Sequence, residues 1–328
     1  MTRHTPLAPS VTVAMMLSVV TIASAHAQQS SPWPTRPLRI VVGFVPGGPV
    51  DLVARIVAPR YSALLGQPVV VENRPGADAN IAMETVARAT PDGHTLLLVQ
   101  PGIAINPPLY RSVPFDPTRD FAPVGLIGES PNLLAVNNAL PVRSVQELVA
   151  LARSRKGELF YGATSSPTHL ATELLNTLAG IQTVRVPFKG APPALTALMS
   201  GEVQIVLSSV GTLLPLARAG KVRALAVTGS KRSAAAPELP TVEEGGVPGF
   251  VATTWYGIAT TGGVSRPVVD RLNAELRRLL GEPEVRAQLA AQGIDEPQPG
   301  TPEALAELIR RELAKWEKVV RASGATIN

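Results

Sequence analysis

The sequence LRIVVGFVPGGPVDLVARIV occupies residues 38–57 and sets the fold expected for the rest of the chain. Its first half is rich in β-branched and apolar residues, which predicts a buried strand over residues 38–45. The loop PGGP follows, and apolar residues then recur at helical spacing over residues 50–65. A strand, a glycine-rich loop and a helix in this order are typical of a βαβ unit and predict parallel strand pairing. Pro59 lies inside the helix and predicts a kink or a break there.

The same alternation of strand and helix patterns continues along the chain. Residues 126–228 contain a complete series of strands and helices, whereas the segment from Trp255 supplies one strand and then helices only. We therefore predict an α/β protein of two lobes, in which the chain crosses from the first lobe to the second and back. A cleft between two such lobes is a common place for a small-molecule site. The predicted lobes are residues 28–125 with 229–328, and residues 126–228, with hinges near residues 121–129 and 228–240.

Composition excludes several classes of protein. The 328 residues contain no cysteine, which rules out disulfides, thiolate nucleophiles and iron–sulfur clusters. The net charge of +5 is scattered and only 4% of residues are aromatic, so we expect no nucleic-acid partner. Beyond residue 27 only His94 and His169 remain as histidines, and the usual hydrolase, dinucleotide and P-loop motifs are missing. We therefore expect no metal, no cofactor and no catalytic activity.

The first 27 residues are typical of an export signal. Arg3 and His4 precede an apolar run over residues 11–25, and Ala25-His26-Ala27 has the small-x-small pattern that a signal peptidase recognises. The run is shorter than the roughly 20 apolar residues that cross a bilayer. We predict cleavage after residue 27 and export to the periplasm of a Gram-negative bacterium, with an uncleaved membrane anchor as the alternative.

Two strand-to-helix loops are the candidate ligand-binding segments. In the first loop, Gly47 and Gly48 let a ligand approach the free N–H groups at the start of a helix. A tight turn in which Asp51 favours the helix dipole is the alternative there. In the second loop, residues 162–169, more hydroxyls surround the helix start than one cap requires, so the spare ones can donate to a carboxylate. A plain surface turn is the alternative. The hydroxyls belong to Thr164, Ser165, Ser166 and Thr168.

Other residues at the predicted strand ends have two interpretations each. Lys189 either reaches the cleft or is a solvated lysine at a turn. Trp255 and Tyr256 either line a pocket or belong to the core. His169 either donates to an anion or bonds to a neighbouring carbonyl.

A set of motifs follows the order found in one known family. These motifs are PTRPLRIVV from residue 34, PGG before Asp51, GQPVVVENRPG from residue 66, PDG from 91, INP from 105, DFAPV from 120, HLA from 169, PFKG from 187, GKVRALAV from 220 and PTVEE from 240. By them the chain resembles the Bug family, the substrate-binding receptors of tripartite tricarboxylate transporters.

The resemblance implies a two-lobed periplasmic binding protein of the Venus-flytrap, type II-like kind, with two mixed sheets flanked by helices and joined by a hinge. It also implies capture of a small organic carboxylate and its delivery to the membrane permease subunits of a transporter. A partner sensor kinase is one alternative, and a secreted enzyme of organic-acid metabolism is another. We expect a monomer. The expected ligand-binding residues are Phe44, Gly47, Gly48, Asp51, Gln100, Thr164, Ser165, Ser166, His169 and Ser208.

Three departures from the family's usual pattern bear on the ligand. Residues 77–80 read ADAN, where the family usually has glycines before Asn80. The loop at residues 162–167 is shorter and less glycine-rich than usual, and Ser208 stands where many members carry an acid. Since serine cannot neutralise an ammonium, we predict a carboxylate without an α-amino group, unless Asp51 supplies the charge. We further predict that helix N-termini and hydroxyls hold this carboxylate, without a buried cation.

Overall fold

Strands and helices alternate along most of the chain, as the sequence predicts. The computed structural model describes residues 1–2, 33–294, 296–297 and 299–323, so nearly all of the predicted export signal lies outside the described residues. The strands are β1 Leu38–Val42, β2 Val69–Asn73, β3 Thr95–Val99, β4 Phe121–Val136, β5 Phe160–Ala163, β6 Val184–Pro187, β7 Ile205–Ser209, β8 Arg223–Val227 and β9 Thr253–Thr261. The helices are α1 Pro49–Leu65, α2 Asn80–Ala87, α3 Gly102–Leu109, α4 Val145–Ser154, α5 Ser166–Ala179, α6 Ala191–Ser200, α7 Val210–Arg218, α8 Arg266–Leu280, α9 Pro283–Ala291 and α10 Pro302–Ser323.

The strands form a mixed sheet in the order β2-β1-β3-β9-β4-β7-β5-β6, with β8 also paired to β4. Strands β1, β2 and β3 are parallel, and so are β5, β6 and β7, whereas β9 runs antiparallel to both β3 and β4. The first part of β4 pairs with β9, its last five residues pair with β7, and its last four also pair with β8. Strand β4 therefore belongs to both halves of the sheet.

The apolar core is divided in the same way. One cluster draws its members from residues 38–127 and 255–309, and two others draw theirs from residues 133–250. The members after residue 228 pack with the second group, although the predicted lobe boundary assigns them to the first. These members are Ala236, Val242, Val247 and Phe250. The lobe boundaries stay a prediction, and this packing favours a second crossing nearer to the start of β9.

Three details differ from the sequence-based expectations. Helix α1 continues through Pro59, so the predicted break is wrong: the helix loses one backbone hydrogen bond there without ending. Helix α3 was not predicted, because Pro107 and Pro108 conceal a helix whose first residues are fully buried. The apolar runs at residues 124–127 and 133–136 predict two separate strands, whereas the structure has one continuous strand, β4.

Candidate functional site

A cavity of about 180 Å³ lies where several strands end and the next helices begin. Its first side comes from residues 43–110 and its second side from residues 163–190. Of the predicted ligand-binding residues, Phe44, Thr164 and Ser165 line it. The other lining residues are Gly43, Pro75, Gly76, Ala77, Asp78, Tyr110, Ala163, Arg185, Pro187, Phe188, Lys189 and Gly190.

The two sides of the cavity are in contact near its edge. A side chain placed on Gly190 would lie 3.3 Å from a methyl carbon of Val45, which belongs to the opposite loop. Deeper in the molecule, Leu170 of α5 packs in a small apolar cluster with Ile105 and Leu109 of α3. Both sides are therefore held close together around the cavity.

Asp51 secures the first loop from within. Its carboxylate accepts hydrogen bonds from Gly47 N–H at 2.8 Å, from Arg55 Nε at 2.9 Å and from Asn73 Nδ2 at 2.9 Å. Asn73 also donates to the carbonyl of Phe44 at 2.9 Å. Burial opposes the ionisation of Asp51, but these hydrogen bonds and the charge of Arg55 outweigh it and lower its pKa. The Asp51 carboxylate thus faces its own loop, and a role in ligand binding stays a prediction.

The second loop gathers its polar groups around Thr168, on the first turn of α5. The Thr168 hydroxyl accepts the N–H of Ser165 at 3.1 Å and lies 3.0 Å from the hydroxyl of Thr164. It also donates to the Ser165 carbonyl at 3.0 Å. Thr168 is therefore an internal cap, whereas the hydroxyls of Thr164 and Ser165 belong to residues that line the cavity.

His169 is held by a tyrosine behind the second loop. Its Nδ1 lies 2.7 Å from the hydroxyl of Tyr161, whose ring stacks on the imidazole, and the same hydroxyl lies 2.7 Å from a carboxylate oxygen of Glu173. Burial and the nearby charge of Arg185 lower the pKa of His169 to about 4. His169 is therefore neutral near pH 7 and does not line the cavity; its predicted contact with an anion stays a prediction.

The turn at residues 77–79 carries Asp78 into the cavity. The Asp78 carboxylate accepts both the N–H and the hydroxyl of Ser166 at the start of α5, across the cavity from its own turn. Ser166 also lies 2.8 Å from Oδ1 of Asn106, and Asn106 Nδ2 donates to the Asp78 carbonyl and to Asn80 Oδ1. Burial raises the pKa of Asp78 to about 7, against the lowering effects of the Ser166 N–H and of Arg185.

Two cations of β6 and the following loop, Arg185 and Lys189, line the cavity from the second side. Lys189 was considered from the sequence, but Arg185 was missed. The guanidinium of Arg185 makes no hydrogen bond or ion pair with any residue of the described ranges, and its charge acts on Asp78, Tyr110 and His169. The sequence did indicate a possible role for Arg185, because this charged residue interrupts the otherwise apolar strand Val184–Pro187 at the cleft edge of the sheet.

Other predicted site residues lie outside the lining of the cavity. Gln100 and Ser208 are buried at the ends of β3 and β7, and the Nε2 and Oγ atoms of these side chains have no hydrogen-bond partner among the described residues. Gly47 and Gly48 lie in the first loop, and Pro192 of α6 is close to Gly48. Within the residues that the structure describes, no group of three metal-ligating side chains occurs, and no helix is long and apolar enough to cross a membrane.

Comparisons with known proteins agree on one class. The family described as "Tripartite tricarboxylate transporter family receptor" matches residues 53–325. An R. palustris protein solved with adipate is 39% identical, with a TM-score of 0.87 over 90% of this chain and 100% of its own. MatC from Rhodopseudomonas palustris, solved with bound malate, is 34% identical, with a TM-score of 0.81 over 88% of this chain and 99% of its own. BugT of Bordetella pertussis is 35% identical over 95% of this chain and 98% of its own.

The fold and these neighbours define a solute-binding protein and not an enzyme. The chain belongs to the tripartite tricarboxylate transporter family receptors. The predicted resemblance to the Bug family, the periplasmic-binding-protein fold and the absence of an enzymatic role are thereby confirmed.

Proposed function

We propose that the protein captures a small organic carboxylate in the cavity between residues 43–110 and 163–190 and delivers it to the permease of a tripartite transporter. One observation carries this proposal: the cavity brings together the loop of Thr164 and Ser165, at the N-terminus of α5, and the unpaired guanidinium of Arg185. Relatives solved with adipate and malate support an acid as the ligand class.

The donors at the cavity suit a dicarboxylate. Hydroxyls and N–H groups at a helix start stabilise one carboxylate, because the helix dipole and the free N–H groups favour negative charge. Arg185 can form a bidentate pair with a second carboxylate. The sequence-based prediction excluded only a buried cation, and Arg185 is exposed.

Replacing Thr164 and Ser165 together with alanine tests this assignment. Hydrogen bonds to a charged group contribute roughly 1.5–3 kcal/mol each, so we expect adipate or malate to bind at least about 100-fold more weakly. Calorimetric titration measures the change. Thr196→Ala with Ser200→Ala is the matched control, since both hydroxyls bond to carbonyls of their own helix α6 away from the cavity. Unchanged affinity in a folded double variant would remove this loop from the site.

Periplasmic delivery is the second half of the proposal. Residues 1–27 have the pattern of a cleavable export signal, and the receptors of this family are named for their transporter. Pull-down from membranes of the source cells, with and without adipate, tests the partner. Recovery of permease subunits supports transport, whereas recovery of a sensor kinase alone would replace it with signalling.

A further inference from the structure

The turn that carries Asp78 has an unusual backbone. Ala77, Asp78 and Ala79 have φ values of 45°, 53° and 72°, so three successive residues with side chains occupy the left-handed region. This region is unfavourable for alanine, and runs of such residues are rare outside functional segments. The methyl group of Ala79 packs onto Gly43, where a larger residue would collide with it. The strained turn is thus built into the first side of the cavity.

The strain has a specific result, because it directs the Asp78 carboxylate to the N-terminus of α5. Ser166 is the first residue of that helix, and Pro167 beside it has no N–H to offer. The N–H and hydroxyl of Ser166 are therefore the donors that an anion would use at this helix start, and both are bonded to Asp78. A carboxyl group from within the chain thus occupies the position expected for the ligand carboxylate.

The number of protons available at this contact bears on the protonation state of Asp78. The Ser166 hydroxyl has one proton but faces two acceptors, Asp78 Oδ2 and Asn106 Oδ1, and the Asn106 amide is fixed because its Nδ2 donates elsewhere. A protonated Asp78 satisfies both contacts, since it donates to Ser166 while Ser166 donates to Asn106. An ionised Asp78 competes with Asn106 for the same proton. The carboxyl group therefore fits this position best in its neutral form.

We propose that Asp78 is a built-in competitor for the carboxylate position at the N-terminus of α5, so that an acid gains Ser166 only when the turn at residues 77–79 withdraws. This inference rests on the proposed function, because it takes that helix start as the place of a ligand carboxylate. Asp78 is then a specificity-determining residue. Ligands must either displace it or use its carboxyl group.

Affinity for dicarboxylates in Asp78 variants tests the competition. Asp78→Gly and Asp78→Asn both tolerate the left-handed φ, so the turn can keep its shape. We expect adipate to bind about tenfold or more tightly to the glycine variant than to the native protein, with the asparagine variant between them, by calorimetric titration. Glu202→Gln is the matched control, because this exposed residue loses a carboxyl group outside the cavity. Affinities within about twofold of native in both variants would overturn the proposal.

A second result would also overturn the proposal. If aspartate or glutamate binds the native protein tightly and loses at least about tenfold in both Asp78 variants, then Asp78 is a partner for a ligand ammonium and not a competitor. The prediction of a ligand without an α-amino group, which relied on Ser208, would be wrong as well.

A second measurement does not require the natural ligand. In protein labelled with ¹⁵N-serine, the Ser166 amide signal is assigned by its loss in Ser166→Ala, and formate serves as the probe. We expect formate to shift this signal in Asp78→Gly at concentrations that leave it unmoved in the native protein. Equal shifts in both proteins would overturn the competition. If adipate and malate bind none of the proteins but formate separates them, the proposed function fails while the role of Asp78 stands.

Discussion

Asp78 and His169 lie near the same cavity and have pKa values shifted in opposite directions. The pKa of Asp78 rises from 3.8 to about 7, and the pKa of His169 falls from 6.5 to about 4. Between pH 4 and 7 the folded protein holds the Asp78 proton that the unfolded chain has lost, so this contribution to stability falls as pH rises. Between pH 4 and 6.5 the unfolded chain binds a proton at His169 that the folded protein does not, so that contribution rises with pH.

Asp78→Asn separates these two effects. In the variant only the contribution of His169, which increases stability with pH, remains. We therefore expect the free energy of unfolding of the variant to increase from about pH 4 to 6.5, while that of the native protein changes less. The difference between the two proteins should change by a few kcal/mol, at roughly 1.4 kcal/mol per unit of pKa shift. Tyr110, which also faces Asp78, does not titrate in this range, because its pKa is raised to about 12. Urea unfolding of both proteins over this pH range measures the difference in free energy of unfolding. Parallel curves of this free energy against pH would contradict the prediction.

The unusual backbone at Asp78 had a signal in the sequence, whereas the direction of its side chain did not. The departure at residues 77–80 was visible as missing glycines, because glycine is the residue that left-handed backbone favours. The direction of the side chain was not predictable, since it depends on three successive left-handed residues held by packing on Gly43. The contacts of Asp51 were not predictable either: donors from the first loop, α1 and β2 hold its carboxylate, and its role in ligand binding stays a prediction.

At the scale of elements, substitution of Arg185 tests whether β6 contributes to ligand binding. This short strand lies at the edge of the sheet, and its arginine lines the cavity without a hydrogen-bond or ion-pair partner among the described residues. We expect Arg185→Gln to weaken adipate binding by about tenfold or more and to affect the monocarboxylate hexanoate by less than about twofold, because one carboxylate remains on the loop of α5. Arg286→Gln is the matched control, because Arg286 is an exposed arginine of α9 that does not line the cavity. Equal losses for both acids would show that Arg185 does not recognise a second carboxylate.

The elements themselves were largely predictable, because period and turn composition are local signals. The strand–loop–helix unit at residues 38–57 was correctly identified, as were most later helices. The failures occurred where tertiary context overrides local preference. Pro107 and Pro108 concealed α3, whose helix is stabilised by burial, and the proline at 131 concealed the continuity of β4. Asn106 of α3 was missed for the same reason, whereas Arg185 was missed although it interrupts an otherwise apolar strand.

At the scale of the whole molecule, the contact between Asp78 and Ser166 joins the two sides of the cavity. We propose that these sides belong to lobes that move apart, with the contact favouring the closed form even without ligand. Small-angle scattering should then give a larger radius of gyration for ligand-free Asp78→Gly than for the native protein, and saturating adipate should reduce the radius more in the variant. Glu202→Gln should follow the native protein. Identical curves for all samples under proven saturation would contradict a hinge motion.

The path of β4 determines what kind of motion is open to the molecule. From Phe121 to Pro131 it is hydrogen-bonded to β9, and register shifts interrupt this ladder between Pro123 and Gly125 and between Leu126 and Gly128. A loop hinge exchanges its amide protons with solvent readily, whereas amides in a paired ribbon exchange slowly because the ladder must open first. We therefore expect opening of the cleft to bend this ribbon at its two irregularities. Deuterium uptake in β4 and β9 should stay slow whether the cavity is open or closed. Uptake at the residues that line the cavity should differ between the two states.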